Sequence, residues 1–220
     1  MINKIENKAI RQYIYEKLTE MLSNGEFPLG QKINKQKLAI DFNVSQTPVN
    51  DALNKLVGEN YLIEIPRKGY FVREIKDQEY ADMFELRAGL EGISAKLVCE
   101  SASDEQIQIL IHSFDGFDEN IKNKELELYI KADRHFHRNI INFAGNSLIQ
   151  ESMKQTRFIS RTYQKGLMKP VADSLAEHRK ILEAFANRDG NQAAKAASDH
   201  LLNSRDRILE KIKENEPIKL

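Results

Sequence analysis

The sequence predicts a mainly α fold in which three helices and a two-stranded ribbon precede an all-α bundle of about six helices. Apolar residues recur at helical spacing over most of the 220 residues, which is the first observation behind this prediction. The second is that strand-forming patterns occur only at residues 60–65 and 70–73. The third is a set of glycine, proline and capping residues that divide the rest into segments of helix length.

The amino-terminal helices are predicted at residues 7–24, ended by Gly25, and at residues 34–42. A third helix begins after Ser45, whose hydroxyl is placed to accept a hydrogen bond from a free backbone N–H of the first turn. Pro48 lies within that turn, where a missing N–H costs little. A short helix, a tight turn and a second helix with a polar outer face suit the major groove of DNA. An ordinary helical hairpin is the alternative.

The ribbon that follows decides between these interpretations. Residues 60–65 and 70–73 are predicted strands joined by a tight turn, so the first 75 residues form a winged helix-turn-helix. The tip of the ribbon carries two cations and a small residue, Arg67, Lys68 and Gly69. Such a tip suits a phosphate contact or an approach to the minor groove. A solvated hairpin tip is the alternative for these residues taken alone.

Charge and cysteine content exclude several classes of protein. Lysine plus arginine equals aspartate plus glutamate at 33 each, so the net charge gives no steering toward nucleic acid. Residues 1–75 hold eleven basic and nine acidic side chains (+2), and the remainder holds 22 against 24 (−2). The single cysteine, Cys99, forms no intrachain disulfide and is predicted to be a buried thiol of a cytoplasmic protein. No apolar run is long enough for a membrane span, and no signal-peptide pattern is present.

The second domain, residues 76–220, contains only helical patterns. They lie near residues 77–101, 103–122, 125–143, 146–168, 171–188 and 190–215. Six antiparallel helices can enclose a pocket, and helical bundles place ligand and metal sites between facing helices.

Four polar residues are predicted to point into that pocket. Asp133 and His137 are four residues apart, so they share one helix face with several isoleucines. His178 and His200 lie on the apolar faces of two further helices. One aspartate and three histidines suit a divalent transition metal such as Zn, Ni or Mn. Because the imidazoles must be neutral to bind, affinity should fall below about pH 6.5.

Each of these residues has a simpler interpretation when taken alone. A single buried histidine is usually a hydrogen-bonded core residue, and an aspartate and histidine four residues apart often form a surface pair. The two remaining histidines differ from the cluster. His135 is predicted to be exposed on a polar helix face, and His112 has no obvious acidic partner in the sequence.

The amino-terminal stretch resembles the GntR family of bacterial transcription regulators over about residues 8–73. The residues that carry the resemblance are VSQTPVNDAL at 44–53, LA at 38–39 before it and GYFV at 69–72 after it. The resemblance implies a DNA-binding domain that presents its third helix to an operator. The candidate DNA-contacting residues are Lys35, Gln36, Ser45, Gln46, Thr47, Asn50, Arg67, Lys68 and Gly69.

The sequence departs from the family at three of these positions. Members usually carry arginine where this chain has Gln36, Gln46 and Asn50. Arginine favours guanine O6 and N7, whereas amides favour adenine N6 and N7, so we expect an operator richer in A·T. We also expect weaker binding because three charge-assisted contacts are missing. The residues that could supply phosphate contacts instead are Lys32, Lys35, Lys37 and Lys55. A domain that kept the fold but lost DNA binding is the alternative.

The second domain resembles the helical effector-binding (FCD) domain of the FadR-type subfamily of GntR proteins, over about residues 78–212. The matching patterns are ELR at 85–87 with Glu91, DRHFH at 133–137, EHRKIL at 177–182 and HL at 200–201. The resemblance implies a metal held by Asp133, His137, His178 and His200. It also implies that Arg87 meets an effector carboxylate, although an ordinary Arg87–Glu91 helix pair is the alternative. Arg157 and Arg161 are further candidates for the pocket.

Together these patterns predict a ligand-responsive DNA-binding transcription regulator that acts as a repressor. We expect a homodimer on a double-stranded operator, with a divalent metal and a small organic acid bound in the helical domain. A metal sensor, in which the ion itself is the effector, and a metal-dependent enzyme remain alternatives. The enzyme is disfavoured because no candidate general base or nucleophile motif accompanies the cluster.

Overall fold

The computed structural model describes residues 2–118, 121, 124–162 and 169–214, with the backbone alone for residues 2–8, 23, 154, 155, 157, 158 and 160–162. The chain divides into two compact units, the first containing residues up to Lys76 together with Arg157–Thr162 and the second containing the other described residues from Asp77 onward. The mainly α fold class is confirmed. None of the described helices is long and apolar enough to cross a membrane.

The first unit is a winged helix-turn-helix. Its elements are α1 (Ile2–Ser23), α2 (Lys35–Asp41), α3 (Gln46–Gly58), β1 (Leu62–Ile65) and β2 (Gly69–Val72). Helix α1 packs against α3, and Ile14, Leu18, Leu53 and Leu56 are at most 1% exposed. This apolar core holds α3 in place with its polar side outward. The two strands pair antiparallel, with Leu62 opposite Val72 and Ile65 opposite Gly69.

The starts of α2 and α3 differ in their hydrogen bonds. Asn34 caps α2, and its side-chain oxygen accepts a hydrogen bond from the backbone N–H of Lys37 at 3.0 Å. Ser45 occupies the N-cap position of α3 as predicted, but its hydroxyl makes no capping hydrogen bond. The predicted bond is therefore wrong. A usual donor to an N-cap side chain is the third helical residue, which here is Pro48 and has no N–H.

From Asp77 onward the described chain is helical. Its α-helices are α4 (Asp77–Ser101), α5 (Asp104–Ile111), α6 (Lys124–Phe143), α7 (Ser147–Thr162), α8 (Val171–Ala186) and α9 (Gly190–Lys213). Helices α4 and α9 pack closely along their lengths. A Cβ added at Gly92 would lie 2.2 Å from Ser198 Oγ, so any larger residue there would force the Ser198 side chain to move.

One predicted helix is divided. The pattern over 103–122 predicted a single helix, but α5 ends at Ile111 and a 3₁₀ turn follows over His112–Phe114. The turn directs Phe114 into the core, where its ring stacks on His178 at 4.3 Å between centroids. Burial of an aromatic ring outweighs the few backbone hydrogen bonds that a continuous helix would add. Three stretches of the predicted helices lie outside the described residues, namely 119, 120 and 122 of the second helix of this domain, 163–168 of the fourth and 215 of the sixth.

The core of the second unit surrounds the histidines predicted as ligands. Among its fully buried side chains are Tyr129, Phe136, Ile140, Ile181 and Phe185. Cys99 is buried in the same core, as predicted, and burial raises the pKa of its thiol to about 11. The aromatic and aliphatic packing fixes the facing sides of α6, α8 and α9.

Candidate functional site

Four side chains from three helices meet in the second unit. Asp133 and His137 come from α6, His178 from α8 and His200 from α9, and one donor atom from each lies within 4.8 Å of the others. His178 Nε2 is 3.5 Å from His137 Nε2 and 3.4 Å from Asp133 Oδ1. The histidines are buried, whereas the Asp133 side chain is 24% exposed. The predicted cluster is thus assembled, with the carboxylate on its more open side.

Two of the histidines are backed by carboxylates. His137 Nδ1 lies 2.5 Å from Glu91 Oε2, and His200 Nδ1 lies 2.8 Å from Glu177 Oε2. A carboxylate accepts a hydrogen bond from Nδ1–H. In this tautomer the free lone pair of the imidazole lies on Nε2. In both residues Nε2 is therefore the nitrogen available to a cation.

The third histidine is backed by a hydroxyl. His178 Nδ1 lies 3.1 Å from the hydroxyl of Tyr129, which donates its own proton to Ser174 Oγ at 2.9 Å. Because the phenol donates to Ser174, its oxygen accepts from His178 Nδ1–H. All three imidazoles are thus oriented by a partner on Nδ1, as is usual for metal-binding histidines.

Each backing carboxylate has its own buried cation. Arg87 Nε donates to Glu91 Oε1 at 2.6 Å, and Lys169 Nζ donates to Glu177 Oε2 and, at 2.9 Å, to the carbonyl of His200. Burial alone would raise the pKa of Glu91, but Arg87 and His137 hold it at about 2. Lys169 also lies 3.2 Å from His200 Nδ1. With the proton of that nitrogen directed at Glu177, this is proximity and not a hydrogen bond.

The environment keeps two of the imidazoles neutral. Burial, followed by the charges of His200 and His137, lowers the pKa of His178 well below its usual value. Burial, followed by the charge of Lys169, does the same for His200. A neutral imidazole is the form that binds a metal, so the fold holds these two side chains ready at neutral pH.

The predicted DNA-contacting residues lie on one unit but differ in exposure. Gln36, Ser45, Gln46, Thr47, Arg67 and Lys68 are exposed, whereas Lys35, Asn50 and Gly69 are half-buried. Lys35 Nζ donates to Asn50 Oδ1 at 3.1 Å, which joins α2 to α3. At the ribbon tip, Gly69 has a φ of 97°, a left-handed conformation that suits glycine. The tip therefore holds its two cations in a tight turn.

Comparison with known protein families identifies this combination of a winged helix-turn-helix and a helical unit. A model of the FCD domain matches residues 82–203, and a model of bacterial regulatory proteins of the gntR family matches residues 10–72. The chain belongs to the GntR family. It is a GntR regulator with an FCD domain, and hence a DNA-binding transcriptional regulator.

Relatives of this GntR regulator agree with that assignment. The Nta operon transcriptional regulator of Aminobacter aminovorans is 30% identical over 85% of this chain and 89% of its own length. The transcriptional repressor RspR of Escherichia coli K12 is 26% identical over 88% of this chain and 86% of its own. Because the family and these relatives are regulators, the enzyme alternative is not supported.

Solved structures share the fold. Escherichia coli McbR/YncC superposes with a TM-score of 0.73 at 18% identity, covering 92% of this chain and 98% of that protein. A GntR regulator from Rhodococcus sp. RHA1 gives a TM-score of 0.72 at 17% identity, covering 91% and 97%. The arrangement of a winged helix-turn-helix followed by a helical unit is thus common to these GntR proteins.

Several residues around the cluster of this GntR regulator were not predicted from its sequence. Tyr129 precedes Asp133 by four positions, and Ser174 precedes His178 by four, so helical spacing placed both on the inward faces. Lys169 and Glu177 gave no such signal. Lys169 lies before α8, and the role of Glu177 depends on its contacts with α9. Only the packing of the helices reveals them.

Predictions for the remaining cations and histidines had mixed outcomes. His135 is exposed, as predicted. The prediction for His112 was wrong, because its Nδ1 lies 2.7 Å from Asp115 Oδ2 across the 3₁₀ turn. Arg87 does form the helix pair with Glu91. The side chains of Arg157 and Arg161 lie outside the described residues.

Proposed function

We propose that this GntR regulator is a repressor whose helical unit binds a divalent transition metal and a small organic acid. Asp133, His137, His178 and His200 would hold the ion, with Zn, Ni or Mn as candidates. The observation that carries the proposal is the convergence of four donor atoms within 4.8 Å. The partners on Nδ1 of every histidine support it, because they leave the cation-binding nitrogens directed at one another.

The charges around the cluster favour an anionic effector. Asp133, Glu91 and Glu177 carry three formal negative charges against the two positive charges of Arg87 and Lys169. With a divalent ion bound, the group would carry one net positive charge and could accept a carboxylate oxygen. A small carboxylate is therefore a better match than a neutral or cationic metabolite.

Arg87 is the proposed second anchor for that carboxylate. Its Nε is engaged by Glu91, and the side chain makes no other hydrogen bond in the described part of the chain. The Arg87 side chain is 11% exposed, and its two Nη groups are not needed for the bond from Nε to Glu91. Two parallel N–H groups fit a carboxylate in bidentate geometry. Arg87 can thus support Glu91 and bind an effector at once.

For the first unit, we propose that α3 enters the major groove and that Arg67, Lys68 and Gly69 contact the backbone or minor groove. The exposed amides of Gln36 and Gln46 would read A·T pairs. Ser45 and Thr47, exposed at the start of α3, would contact phosphate. A homodimer would place two α3 helices on the two halves of a pseudo-palindromic operator. Effector binding would alter operator affinity if it favours one arrangement of the dimer over another.

Metal analysis tests the central proposal. The purified protein, exchanged against Zn²⁺ and then desalted, should retain close to one ion per chain by elemental analysis. His137→Ala and His178→Ala should lose it. His135→Ala, an exposed histidine on the same helix as His137, should retain it. Absence of metal in the wild type, or equal retention in all variants, would demote the cluster to a polar network in the core.

DNA binding then separates an organic effector from the ion itself. Operator affinity would be measured by fluorescence anisotropy on a duplex selected from a random library, with metal-free protein, with Zn²⁺, and with Zn²⁺ plus a panel of organic acids. A response only to an acid supports the proposed repressor. A response to Zn²⁺ alone would make the ion the effector. Affinity that no ligand changes would contradict both.

A further inference from the structure

Two asparagines on α3 have side-chain oxygens that already accept a hydrogen bond within the protein. Asn50 and Asn54 are four residues apart, so they lie on one face of α3. Asn50 Oδ1 accepts a hydrogen bond from Lys35 Nζ at 3.1 Å, and Asn54 Oδ1 accepts one from the hydroxyl of Tyr70 at 2.5 Å. In the described part of the chain neither NH₂ group donates a hydrogen bond, so both remain for an outside partner.

Tyr70 holds this arrangement together. The residue belongs to β2, is 3% exposed, and its ring lies 5.3 Å from Lys35 Nζ, within the range of a cation–π contact. Burial and the nearby charge of Glu64 raise the pKa of the phenol, which keeps its proton for Asn54. Lys35 is thus fixed between the ring of Tyr70 and the oxygen of Asn50. Three elements, α2, α3 and β2, contribute to one cluster.

The contact with Lys35 changes which base Asn50 can read. An asparagine reads adenine by accepting from N6–H₂ through Oδ1 while donating to N7 through Nδ2. An ammonium bound at Oδ1 occupies one lone pair of that oxygen and places a positive charge beside the N6 amino group, which is itself a donor, so adenine is disfavoured. Guanine presents two acceptors, O6 and N7, at the same edge. A neighbouring pair of donors with one positive charge is what arginine offers to guanine.

We infer that Lys35 and Asn50 together form a composite reader of guanine, with Tyr70 as the residue that positions Lys35. Lys35 Nζ and Asn50 Nδ2 supply the two donors, and Lys35 supplies the charge. The chain thereby recovers, from two side chains on two helices, the donor pattern of the arginine that GntR proteins usually carry at position 50. The preference for A·T then belongs to Gln36 and Gln46 alone.

Selection from a random duplex library by the purified full-length protein tests this inference. The half-site position that loses its preference in Asn50→Ala should be guanine in the wild type. In Lys35→Met the oxygen of Asn50 is released, so the same position should shift toward adenine, with the guanine-to-adenine affinity ratio falling about tenfold. Anisotropy titrations on the selected duplex and its single-base variants would measure that ratio.

Lys37→Met is the matched control, since Lys37 is an exposed lysine of the same helix. It should weaken binding to all duplexes alike and make the salt dependence shallower, because a phosphate contact carries no base information. Adenine at the Asn50 position in the wild type would overturn the inference. So would a Lys35→Met protein that loses affinity uniformly, as the control does, or a wild type that enriches no sequence.

Discussion

Glu91 has no exposed surface, yet it keeps its charge between Arg87 and His137. An isolated buried carboxylate is costly, and two partners are needed to offset that cost. Glu177 repeats the pattern with Lys169 and His200. Two histidines of the cluster are thus backed by ion pairs, and one, His178, by the neutral Tyr129.

Glu177→Gln should weaken Zn²⁺ binding about 10- to 100-fold, because the charged acceptor that orients the proposed ligand His200 becomes a neutral amide. The substitution also leaves Lys169 buried without its counter-charge, which destabilises the fold. The double variant Glu177→Gln, Lys169→Met removes both charges, so it should recover stability but not affinity. Competition titration and urea unfolding measure the two effects.

Glu183→Gln, an exposed carboxylate on the same helix, is the control and should bind Zn²⁺ as the wild type does. If Glu177→Gln matches this control in affinity, Glu177 does not position His200.

Stability of the metal-free protein should fall as the pH drops below about 6.5, the ordinary value for histidine. The folded state lowers the pKa of His178 and His200, so the unfolded chain takes up protons first. Glu91, with a pKa of about 2 in the folded state, should add a further loss below about pH 4.5. Urea unfolding of chelator-treated protein at pH 7.5 and 5.5 measures the loss of stability expected from the two histidines. Equal or greater stability at pH 5.5 would contradict this reasoning, and His135→Gln should show the wild-type trend.

Helix α3 forms without a side-chain cap at its start. Its N-cap hydroxyl makes no bond, and the four apolar residues Val49, Ala52, Leu53 and Leu56 bury its inner side instead. Tertiary packing therefore fixes this helix, as it does most helices of globular proteins. The side chain of Ser45 remains available to an outside partner.

Ser45→Ala should change the free energy of unfolding by less than about 0.5 kcal/mol. Asn34→Ala, which removes a formed cap in the same unit, should lower it by about 1 kcal/mol. Urea unfolding compares the two variants, and an equal loss would show that Ser45 caps α3 in solution. Ser45→Ala should still weaken binding to operator DNA if the hydroxyl contacts phosphate.

Helix α6 shows how one element serves both packing and chemistry. Tyr129, Asp133 and His137 follow one another at four-residue steps, so a single helix face supplies two cluster residues and a hydrogen-bond partner for a third. Phe136 and Ile140 lie beside them and are fully buried. The rigid core thus determines the direction of the functional side chains.

For the whole molecule, the surface of α4 favours a homodimer. Leu86 and Ile93 are 50% and 55% exposed, and the half-buried Leu90 and Leu97 complete a stripe at steps of four, three and four residues. These steps place the four side chains on one helix face, and although Leu90 and Leu97 also pack on the core of their own chain, Leu86 and Ile93 would be buried by a second copy of the helix. A two-fold pairing also matches the needs of a palindromic operator.

Light scattering should give a dimer for the wild type and a monomer for Ile93→Lys. The reason is that a charge in a paired apolar seam is left without a partner. Leu128→Lys is the matched control, because Leu128 on α6 is equally exposed at 50% and lies outside the stripe. A monomeric wild type, or dissociation by both variants alike, would remove α4 as the interface. The monomer should also bind operator DNA more weakly, since it contacts one half-site.

Much of the fold followed from the sequence alone. Helical spacing, strand patterns and cap residues located the winged helix-turn-helix and the helical unit, and the predicted helix at 77–101 coincides with α4. The same spacing placed Asp133, His137, His178 and His200 on inward faces. These features are local, because a helix face is set by residues three and four positions apart.

Only the tertiary structure decided which residues meet across elements. It divided the predicted helix at 103–122 to bury Phe114, joined Lys35 to Asn50, and gave Glu177 and Lys169 to His200. Hydrogen bonds between distant residues depend on how helices pack, and spacing along one helix carries no record of its neighbours. The sequence therefore determined the helices and strands and which of their faces are apolar. Packing determined which groups from other elements hydrogen-bond to the polar side chains on those faces.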